Sequence, residues 1–420
     1  METLSEHVDV LIAGCGTAGA IAAIQAGRAG AKTAVIEMHG QPGGTMTTGG
    51  VCCPMYFFSR DRQVIAGIGW ELAVKTMELD RLPLPDFMTP HKTRPSYGFT
   101  MNPHTFALVL EEACREADVC LHYHEIVTGV RETQGGWCIE STGKGVRRET
   151  VAKQIVDCTG DADLVGLLGL AREKSDERQP GTLMFHLSGY DPASLDADAV
   201  QQAYRAALAA GRLRTGDFWL ADRQFIGFLH GGGANQQHIP GADSSTSETQ
   251  SRANIEGRAS LLRLLRFVKS LPGCGNARVD SMAPCAAARE TYRIAGAKTI
   301  THEDYMTGRV FDDAVCYSYY FIDVHTDGGV VHEFVPEGLV PTVPLGALIP
   351  SGSRNLLVAG RCVSSDRKAN SALRVEASCM AMGQAAGAAA VLAAQRGVTP
   401  GAVPLDAIKA LLRAHKAITP

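Results

Sequence analysis

The sequence has few aromatic residues and no dominant sign of charge. Phe, Tyr and Trp make up 6% of the 420 residues, and 40 Lys and Arg are balanced by 44 Asp and Glu. A protein that acts mainly on nucleic acid or on an anionic membrane needs a broad basic field, which a net charge of −4 does not supply. We therefore expect a small-molecule substrate, with neither nucleic acid nor a membrane as a partner.

Long apolar runs are missing as well. No uninterrupted apolar stretch reaches the roughly 20 residues that a membrane-spanning helix needs. The first ten residues, METLSEHVDV, contain acidic side chains and lack the apolar segment of a secretory signal. These absences predict a cytoplasmic protein.

The chain also lacks the cysteine spacings of metal and disulfide sites. Its 12 cysteines include no CxxC pair, so we interpret them as reduced thiols. A disulfide between the adjacent residues Cys52 and Cys53 would be strained. His122 and His124 alternate along one predicted strand without nearby ligand partners. We expect both histidines to be structural and the chain to hold no metal.

What the chain does contain is a nucleotide-binding pattern near its start. A β-type run at residues 8–13 stops at Gly14, an alanine-rich helix is predicted from Thr17 to about Ala29, and a second strand ends at Glu37. This order is the βαβ unit of a parallel sheet. Residues 14–19, GCGTAG, match GxGxxG, whose glycines allow a tight turn, close approach of a pyrophosphate and close helix packing.

The acidic residue after the second strand strengthens this interpretation. GxGxxG alone is a weak signal in a chain with 45 glycines, but here it lies between a strand and a helix, with Glu37 at the expected distance. The Glu37 carboxylate can accept both hydroxyls of an adenosine ribose and would repel a 2′-phosphate. The pattern therefore predicts a dinucleotide, either NAD or FAD.

The remaining patterns predict two domains. A helix opens at Asn102-Pro103, alternating segments after residue 120 indicate a β-meander, and a strand ends in a turn at residues 159–163. A buried strand at 355–360 and a small-residue helix at 376–394 are expected to fold back onto the first domain. We predict an α/β protein with a Rossmann-type domain at 1–170 and 345–420, containing a parallel sheet and a β-meander, plus a mixed α+β substrate or cap domain at 171–344.

Four segments together resemble one known family. They are DVLIAGCGTAGAIAAIQAGRAGAKTAVIE at 9–37, GGTMTTGGV at 43–51, VDCTGDAD at 156–163, and NLLVAGRCVSSDRKANSALRVEASCMAMGQAAGAAA at 355–390. Over nearly its whole length the chain resembles the FAD-dependent oxidoreductases allied to glutathione reductase and fumarate reductase flavoproteins. The resemblance implies that the Rossmann-type domain binds FAD. The CxxxxC pair of related disulfide reductases would fall on Met46 and Val51, so that redox pair is absent.

The resemblance also implies which residues hold FAD. The glycine turn would hold the pyrophosphate, Glu37 the adenosine ribose, and the backbone of Ile126 would meet the adenine. Arg361 stands where related flavoproteins have an Asp that binds the ribityl chain, so this position departs from the family pattern. The helix start at Ala377–Met380 would face the flavin pyrimidine. The predicted cofactor-binding residues are Gly14, Gly16, Thr17, Ala18, Gly19, Glu37, Gly44, Thr45, Ile126, Thr159, Gly160, Asp161, Gly360, Arg361 and Cys379.

Chemistry beside a flavin requires a proton carrier and a clamp for the substrate. His325 ends a predicted strand with Asp323 two residues before it, and imidazole suits acid–base work near neutral pH. Arg289 and Arg374 are the predicted clamp, because a planar guanidinium binds both oxygens of a carboxylate. Arg289 and Arg293 are predicted to lie one turn apart on a helix.

These patterns predict an FAD-dependent dehydrogenase or reductase. Hydride would pass between flavin N5 and a small polar substrate, which the clamp would hold through a carboxylate or another oxygen-rich group. A flavin-dependent monooxygenase and an electron-transfer flavoprotein acting with a protein partner are the alternatives. NAD(P)H would bind only transiently, because the second half of the chain has no further GxGxxG. A homodimer is expected as the most frequent assembly.

Overall fold

A seven-stranded sheet forms the centre of the computed structural model. The structure describes residues 2–60, 62–87, 98–219, 224–326 and 329–420. The strands are β1 Glu2–Ala13, β2 Thr33–Glu37, β3 Phe58–Ser59, β4 Arg62–Gln63, β5 Cys120–Tyr123, β6 Glu125–Thr133, β7 Gly136–Gly143, β8 Val146–Asp157, β9 Arg172–Lys174, β10 Phe185–Ser188, β11 Arg278–Met282, β12 Tyr292–Ile294, β13 Ala314–Tyr317, β14 Ile322–Thr326, β15 Gly329–Glu333, β16 Thr342–Pro344 and β17 Leu356–Val358. The helices are α1 Thr17–Arg28, α2 Ile68–Leu79, α3 Pro103–Glu116, α4 Asp163–Leu167, α5 Ala197–Ala209, α6 Phe225–Gly231, α7 Ser247–Ser270, α8 His302–Met306, α9 Arg367–Leu373, α10 Glu376–Arg396 and α11 Leu405–Ala414.

The sheet combines a parallel part with a meander. Its strand order is β5-β2-β1-β8-β7-β6, and β17 pairs in parallel with β8. β1 is parallel to both neighbours, whereas β7 is antiparallel to β6 and β8. The predicted α/β fold with a parallel sheet and a β-meander is therefore confirmed. β1 begins earlier than the predicted residue 8, because its residues 2–8 pair with residues 146–152 of β8.

Helices α1 and α10 pack closely on one face of the sheet. A Cβ atom on Gly383 would overlap the carbonyl oxygen of Ala18, and one on Gly387 would overlap that of Ala22. The small residues of α10 thus allow the two backbones to touch. By length and composition α10 could cross a membrane, but 89% of its apolar window is buried inside the protein.

Residues from the middle of the chain belong to more than one hydrophobic core. One includes Phe218, Phe225 and Leu264 and lies within the middle of the chain. Val315 and Val343, also from the middle of the chain, instead share the core that contains α1 and α10. The boundaries at residues 171 and 344 stay a prediction.

The prediction that Arg289 and Arg293 lie on one helix is wrong. Residues 292–294 form β12, which pairs antiparallel with β9, and Arg293 lies opposite Glu173. The preceding residues run irregularly, with the Ala287 N–H donating to the carbonyl oxygen of Thr182 at 2.8 Å. Pairing with distant chain segments therefore overrides the local helical spacing of the two arginines.

Candidate functional site

The glycine turn between β1 and α1 leaves no room for a side chain at Gly14 or at Gly19. Gly14 has a φ of +87°, and a Cβ atom there would lie 2.6 Å from the carbonyl oxygen of Cys158. A Cβ on Gly19 would overlap the carbonyl oxygen of Gly14. A Cβ on Gly44 would lie 2.8 Å from the Cα of Gly16. The loop that carries Gly44 and Thr45 therefore closes directly on the turn.

The start of α1 offers unpaired N–H donors beside this turn. Gly16 is the extended N-cap residue, no side chain among the described residues caps the helix, and its first turn has no acidic residue. Such a helix start carries a partial positive charge and binds phosphate groups well. The Thr17 hydroxyl donates to the carbonyl oxygen of Gly43 at 3.4 Å, which joins the helix to the second glycine loop. The donors and the bare backbone fit the pyrophosphate of FAD.

Glu37 lies at the carboxyl end of β2, where the nucleotide pattern requires an acid. Its Oε2 accepts from the Cys15 N–H at 2.7 Å, and its Oε1 accepts from the His39 N–H at 2.8 Å. Burial raises the pKa of Glu37. Ile126 lies near the start of β6 with an exposed side chain and pairs with Thr142.

Two predicted cofactor residues, Asp161 and Arg361, bind each other. Arg361 Nη2 donates to Asp161 Oδ1 at 2.7 Å, and Arg361 Nε donates to the carbonyl oxygen of Gly160 at 2.9 Å. Asp161 also accepts from Ser244 at 2.9 Å and from the Thr291 hydroxyl. The Arg361 guanidinium is therefore held by protein groups, in a network that joins three distant parts of the chain.

The predicted cofactor residues Thr159, Gly360 and Cys379 lie in the same part of the fold. Thr159 N–H donates to Asp157 Oδ1 at 3.1 Å, immediately before Gly160. Gly360 has a φ of +100°, and a Cβ there would lie 3.3 Å from the Cβ of Ala18 in α1. Cys379 is buried in the first turn of α10, with its thiol 3.1 Å from the carbonyl oxygen of Arg374.

His325 lies inside a chain of hydrogen-bonded side chains. Its Nε2 is 3.2 Å from Asp323 Oδ2, and its Nδ1 is 2.9 Å from His238 Nε2. The His238 ring stacks on Trp219, with centroids 4.8 Å apart. Burial lowers the pKa of His325 to about 4 and that of His238 to about 2. Both rings are therefore neutral at pH 7, and both nitrogens of His325 already have protein partners.

Asp323 anchors Arg374 as well as His325. Arg374 Nη2 lies 3.3 Å from Asp323 Oδ2 and 3.2 Å from Gln179 Oε1. Nε2 of the partly exposed His332 lies 3.1 Å from Asp323 Oδ1. Burial alone would raise the pKa of Asp323, but these donors and His325 hold it well below its usual value. Asp323 is therefore a fixed anion.

Arg289, in contrast, is a buried cation that forms no ion pair with any residue that the structure describes. It is 7% exposed, and it donates to the carbonyl oxygen of Pro180 and to Asn235 Oδ1, the latter at 3.3 Å. In the described part of the chain no carboxylate lies within ion-pair distance of it. Burial and, after it, the charge of Arg374 lower the pKa of Arg289 to about 9. The two predicted clamp residues, Arg289 and Arg374, therefore lie close enough for their positive charges to repel each other.

Glu376 and His238 belong to this region but were not predicted as site residues. Glu376 is the first residue of α10 and interacts electrostatically with Arg374 and Asp323. A carboxylate in the first turn of a helix is a common stabilising feature, so its sequence position carried no functional signal. His238 meets His325 only through tertiary contact, 87 residues along the chain.

A separate cluster contains His122, which was predicted to be structural. Its Nε2 lies 2.8 Å from Glu6 Oε1 and 3.7 Å from Cys120 Sγ, and the three ligand atoms lie within 4.8 Å of one another. The Glu6 carboxylate also accepts from the Thr150 hydroxyl at 2.9 Å. All 12 cysteines, including Cys120, are free thiols.

Comparison with solved structures gives low identities over nearly the whole chain. A geranylgeranyl bacteriochlorophyll reductase-like protein from Thermoplasma acidophilum is 12% identical, with 98% of this chain and 83% of that chain covered and a TM-score of 0.43. A p-nitrophenol 4-monooxygenase from Pseudomonas putida is 13% identical, with coverage of 99% and 85% and a TM-score of 0.41. An anhydrotetracycline hydroxylase from Streptomyces rimosus is 13% identical, with coverage of 98% and 66% and a TM-score of 0.44.

Comparison with curated protein sequences gives no significant match. The family described as FAD dependent oxidoreductase has a model that matches residues 9–412. That range contains all four segments on which the resemblance rests, and the glycine turn has the shape and donors that FAD requires. The chain therefore belongs to the family of FAD-dependent oxidoreductases, and FAD is its cofactor.

Proposed function

We propose that this oxidoreductase transfers a hydride between its cofactor and a small polar substrate that carries a carboxylate. The observation that supports the proposal is the environment of Arg289, a buried guanidinium with only neutral acceptors among the described residues. Buried charges in proteins are normally paired. A substrate carboxylate would supply the missing partner.

Arg374 supports the same substrate class. Its Nη2 is held by Asp323 and Gln179, whereas its buried Nε has no hydrogen-bond partner among the described residues. A guanidinium fixed in this way loses little freedom when it binds an anion. With Asp323 balancing one of the two guanidinium charges, the pair keeps one positive charge for a substrate carboxylate.

When bound, FAD supplies the hydride donor or acceptor at N5 of its ring. The protein residues have to orient the substrate and handle the accompanying proton. His325, the predicted acid or base, is neutral at pH 7 because burial lowers its pKa to about 4. To reach a substrate it would have to release His238 or Asp323. Its role as proton carrier stays a prediction.

The proposal is tested by anaerobic bleaching of the purified holoenzyme with a panel of hydroxy, amino and dicarboxylic acids. We expect at least one carboxylate to bleach the flavin absorbance, and its methyl ester or amide to fail. In Arg289→Met, kcat/KM for that substrate should fall about a hundredfold, because a hydrogen-bonded charge pair contributes about 1.5–3 kcal/mol.

Arg266→Met is the matched control, because Arg266 is exposed on α7. Wild-type kinetics in Arg289→Met, or equal bleaching by acid and ester, would contradict the carboxylate clamp. NAD(P)H-coupled oxygen uptake would instead identify the monooxygenase alternative. Reoxidation of the reduced enzyme by a protein alone would identify the electron-transfer alternative.

A further inference from the structure

Three side chains that can bind a metal ion meet where β5 lies beside the first half of β1. Cys120 and His122 belong to β5, and Glu6 belongs to the part of β1 that pairs with β8 but not with β2. The sequence separation of 116 positions between Glu6 and His122 hides this meeting from any local pattern. The fold therefore brings a thiol, an imidazole and a carboxylate to one point.

The spacing of the three ligand atoms is close to that around a tetrahedral zinc ion. Zn–N and Zn–O bonds of about 2.0–2.1 Å and a Zn–S bond of about 2.3 Å put neighbouring ligand atoms about 3.2–3.6 Å apart. Cys120 Sγ lies 3.7 Å from His122 Nε2. His122 Nε2 and Glu6 Oε1 lie 2.8 Å apart, joined by a hydrogen bond that a metal ion would replace. Small rotations of these side chains are therefore enough to admit the ion.

The charges of the group also fit a divalent cation. The Glu6 carboxylate and a Cys120 thiolate together balance two positive charges, and a neutral imidazole adds none. Arg148 lies near enough to act on Glu6, but its own ion pair is with Glu125, at 3.0 Å. The buried Thr150 hydroxyl donates to Glu6 Oε1 at 2.9 Å. Such a hydrogen bond orients a metal ligand, as the outer groups of known metal sites do.

An ion can reach this group from solution. Cys120 is exposed, and the side chains of His122 and Glu6 are 10% and 18% exposed. Among the residues that the structure describes, no fourth ligand joins the three. The fourth position of a tetrahedral ion would therefore be open to water.

We propose that Glu6, Cys120 and His122 bind one Zn²⁺ ion, with water as the fourth ligand. Thiolate and imidazole ligands favour Zn²⁺ over Mg²⁺ and Ca²⁺, which prefer oxygen. On binding, the Cys120 thiol releases its proton to solvent and its sulfur donates an electron pair to the ion. His122 binds through Nε2 as a neutral ring with its proton on Nδ1. None of the three residues is among those predicted to hold FAD or the substrate, so the site adds to the proposed function and does not depend on it.

Cobalt provides the first test, because Co²⁺ occupies tetrahedral zinc sites and gives them a visible spectrum. The reduced, tag-free holoenzyme is cleared of metal with EDTA, separated from the chelator and titrated with Co²⁺. We expect one Co²⁺ per chain, with the d–d bands of tetrahedral cobalt at longer wavelengths than the flavin absorbs and a sulfur-to-cobalt charge-transfer band in the difference spectrum. Zn²⁺ should then displace the cobalt and abolish both. Absence of these bands from the wild type would overturn the proposal.

Matched variants assign the ligands. Cys120→Ser should lose the charge-transfer band, whereas Cys285→Ser, outside the group, should keep it. His122→Asn should lose the tetrahedral bands, whereas His124→Asn, at an exposed position of the same segment, should keep them. Thr150→Val should weaken Zn²⁺ binding by about 10–100-fold, the usual effect of losing a hydrogen bond to a metal ligand. A charge-transfer band that persists in Cys120→Ser would overturn the assignment.

Urea unfolding provides a second readout, since an ion that binds only the folded chain stabilises it. The urea midpoint should be higher with Zn²⁺ than with EDTA in the wild type and in Cys285→Ser, and equal under the two conditions in Cys120→Ser. Each variant is compared with itself, so any destabilisation by the substitution cancels. Equal midpoints with and without Zn²⁺ in the wild type would contradict the site, and so would an undiminished difference in Cys120→Ser.

Discussion

At the residue scale, His325 shows that a histidine whose sequence position suits acid–base chemistry can be buried with both ring nitrogens bound to protein groups. The Asp-x-His spacing puts the two side chains on the same face of a strand, and Asp323 Oδ2 does lie 3.2 Å from His325 Nε2. The sequence could not predict that His238 occupies the other ring nitrogen. His325 thereby fixes Asp323, which in turn holds Arg374, so the structure favours a positioning role for this histidine.

The pH dependence of stability tests this description of His325. Its pKa is about 4 in the folded protein and about 6.5 when unfolded. Between these values the unfolded chain binds a proton that the folded chain does not, so the free energy of unfolding rises with pH across this window and levels off above it. We expect a smaller rise between pH 5 and pH 7 in His325→Asn, measured by urea unfolding.

His104→Asn is the control, because the His104 side chain is exposed on α3 and its replacement should leave the rise unchanged. If His325→Asn retains the full rise, the ring is not held neutral by the fold. His325→Asn should also raise KM more than it lowers kcat, because Asp323 would be held less firmly and would in turn position Arg374 less well.

At the element scale, the contact between α1 and α10 depends on glycine. Gly387→Ala would force a Cβ into the carbonyl oxygen of Ala22. Relieving this overlap requires the two helices to move apart, which destabilises a packed core by about 1–3 kcal/mol. We expect a loss of this size in the free energy of unfolding. The control is Gly227→Ala on α6, where nothing lies within 4 Å of the added atom. This exposed helical change should be neutral or stabilise by up to about 1 kcal/mol. Equal effects of the two changes would contradict the packing argument.

Elements with strong local signals could be predicted, and elements defined by distant partners could not. The Asn102 side chain caps α3 as the Asn-Pro pattern predicted, accepting from the His104 N–H at 3.0 Å. The first helix begins at Thr17, directly after its glycine turn. The helix prediction around Arg289 was wrong because residues of this segment hydrogen-bond to residues more than a hundred positions away in the chain. The site could be predicted where it follows β1 and β2, and only in part where it depends on the middle of the chain.

At the scale of the whole molecule, the Asp161–Arg361 pair joins the two ends of the chain to its middle. Asp161 is 6% exposed and binds Arg361, Ser244 and Thr291. Arg361→Met would leave the Asp161 charge buried without its cation, which costs about 3–5 kcal/mol. We expect a loss of that order in urea unfolding and weaker retention of FAD.

Arg252→Met is the control, since Arg252 pairs with Glu248 while the two side chains are 73% and 85% exposed. Exposed pairs contribute about 0–1 kcal/mol, so this variant should unfold almost as the wild type does. Adding Asp161→Asn to Arg361→Met should recover part of the loss, because it removes the uncompensated charge. A double variant as unstable as the sum of the single variants would contradict the pairing.

The packing of α10 on α1 also has a consequence for the order of events during synthesis. The glycine turn emerges from the ribosome first, but the helix that packs against Ala18 and Ala22 and the strand β17 beside β8 are translated near the end. Until then α1 lacks its packing partner α10, and β8, which pairs with β1 and β7, still lacks β17. The contact between α1 and α10 and the pairing of β8 with β17 can therefore form only after residues 355–396 have been synthesised.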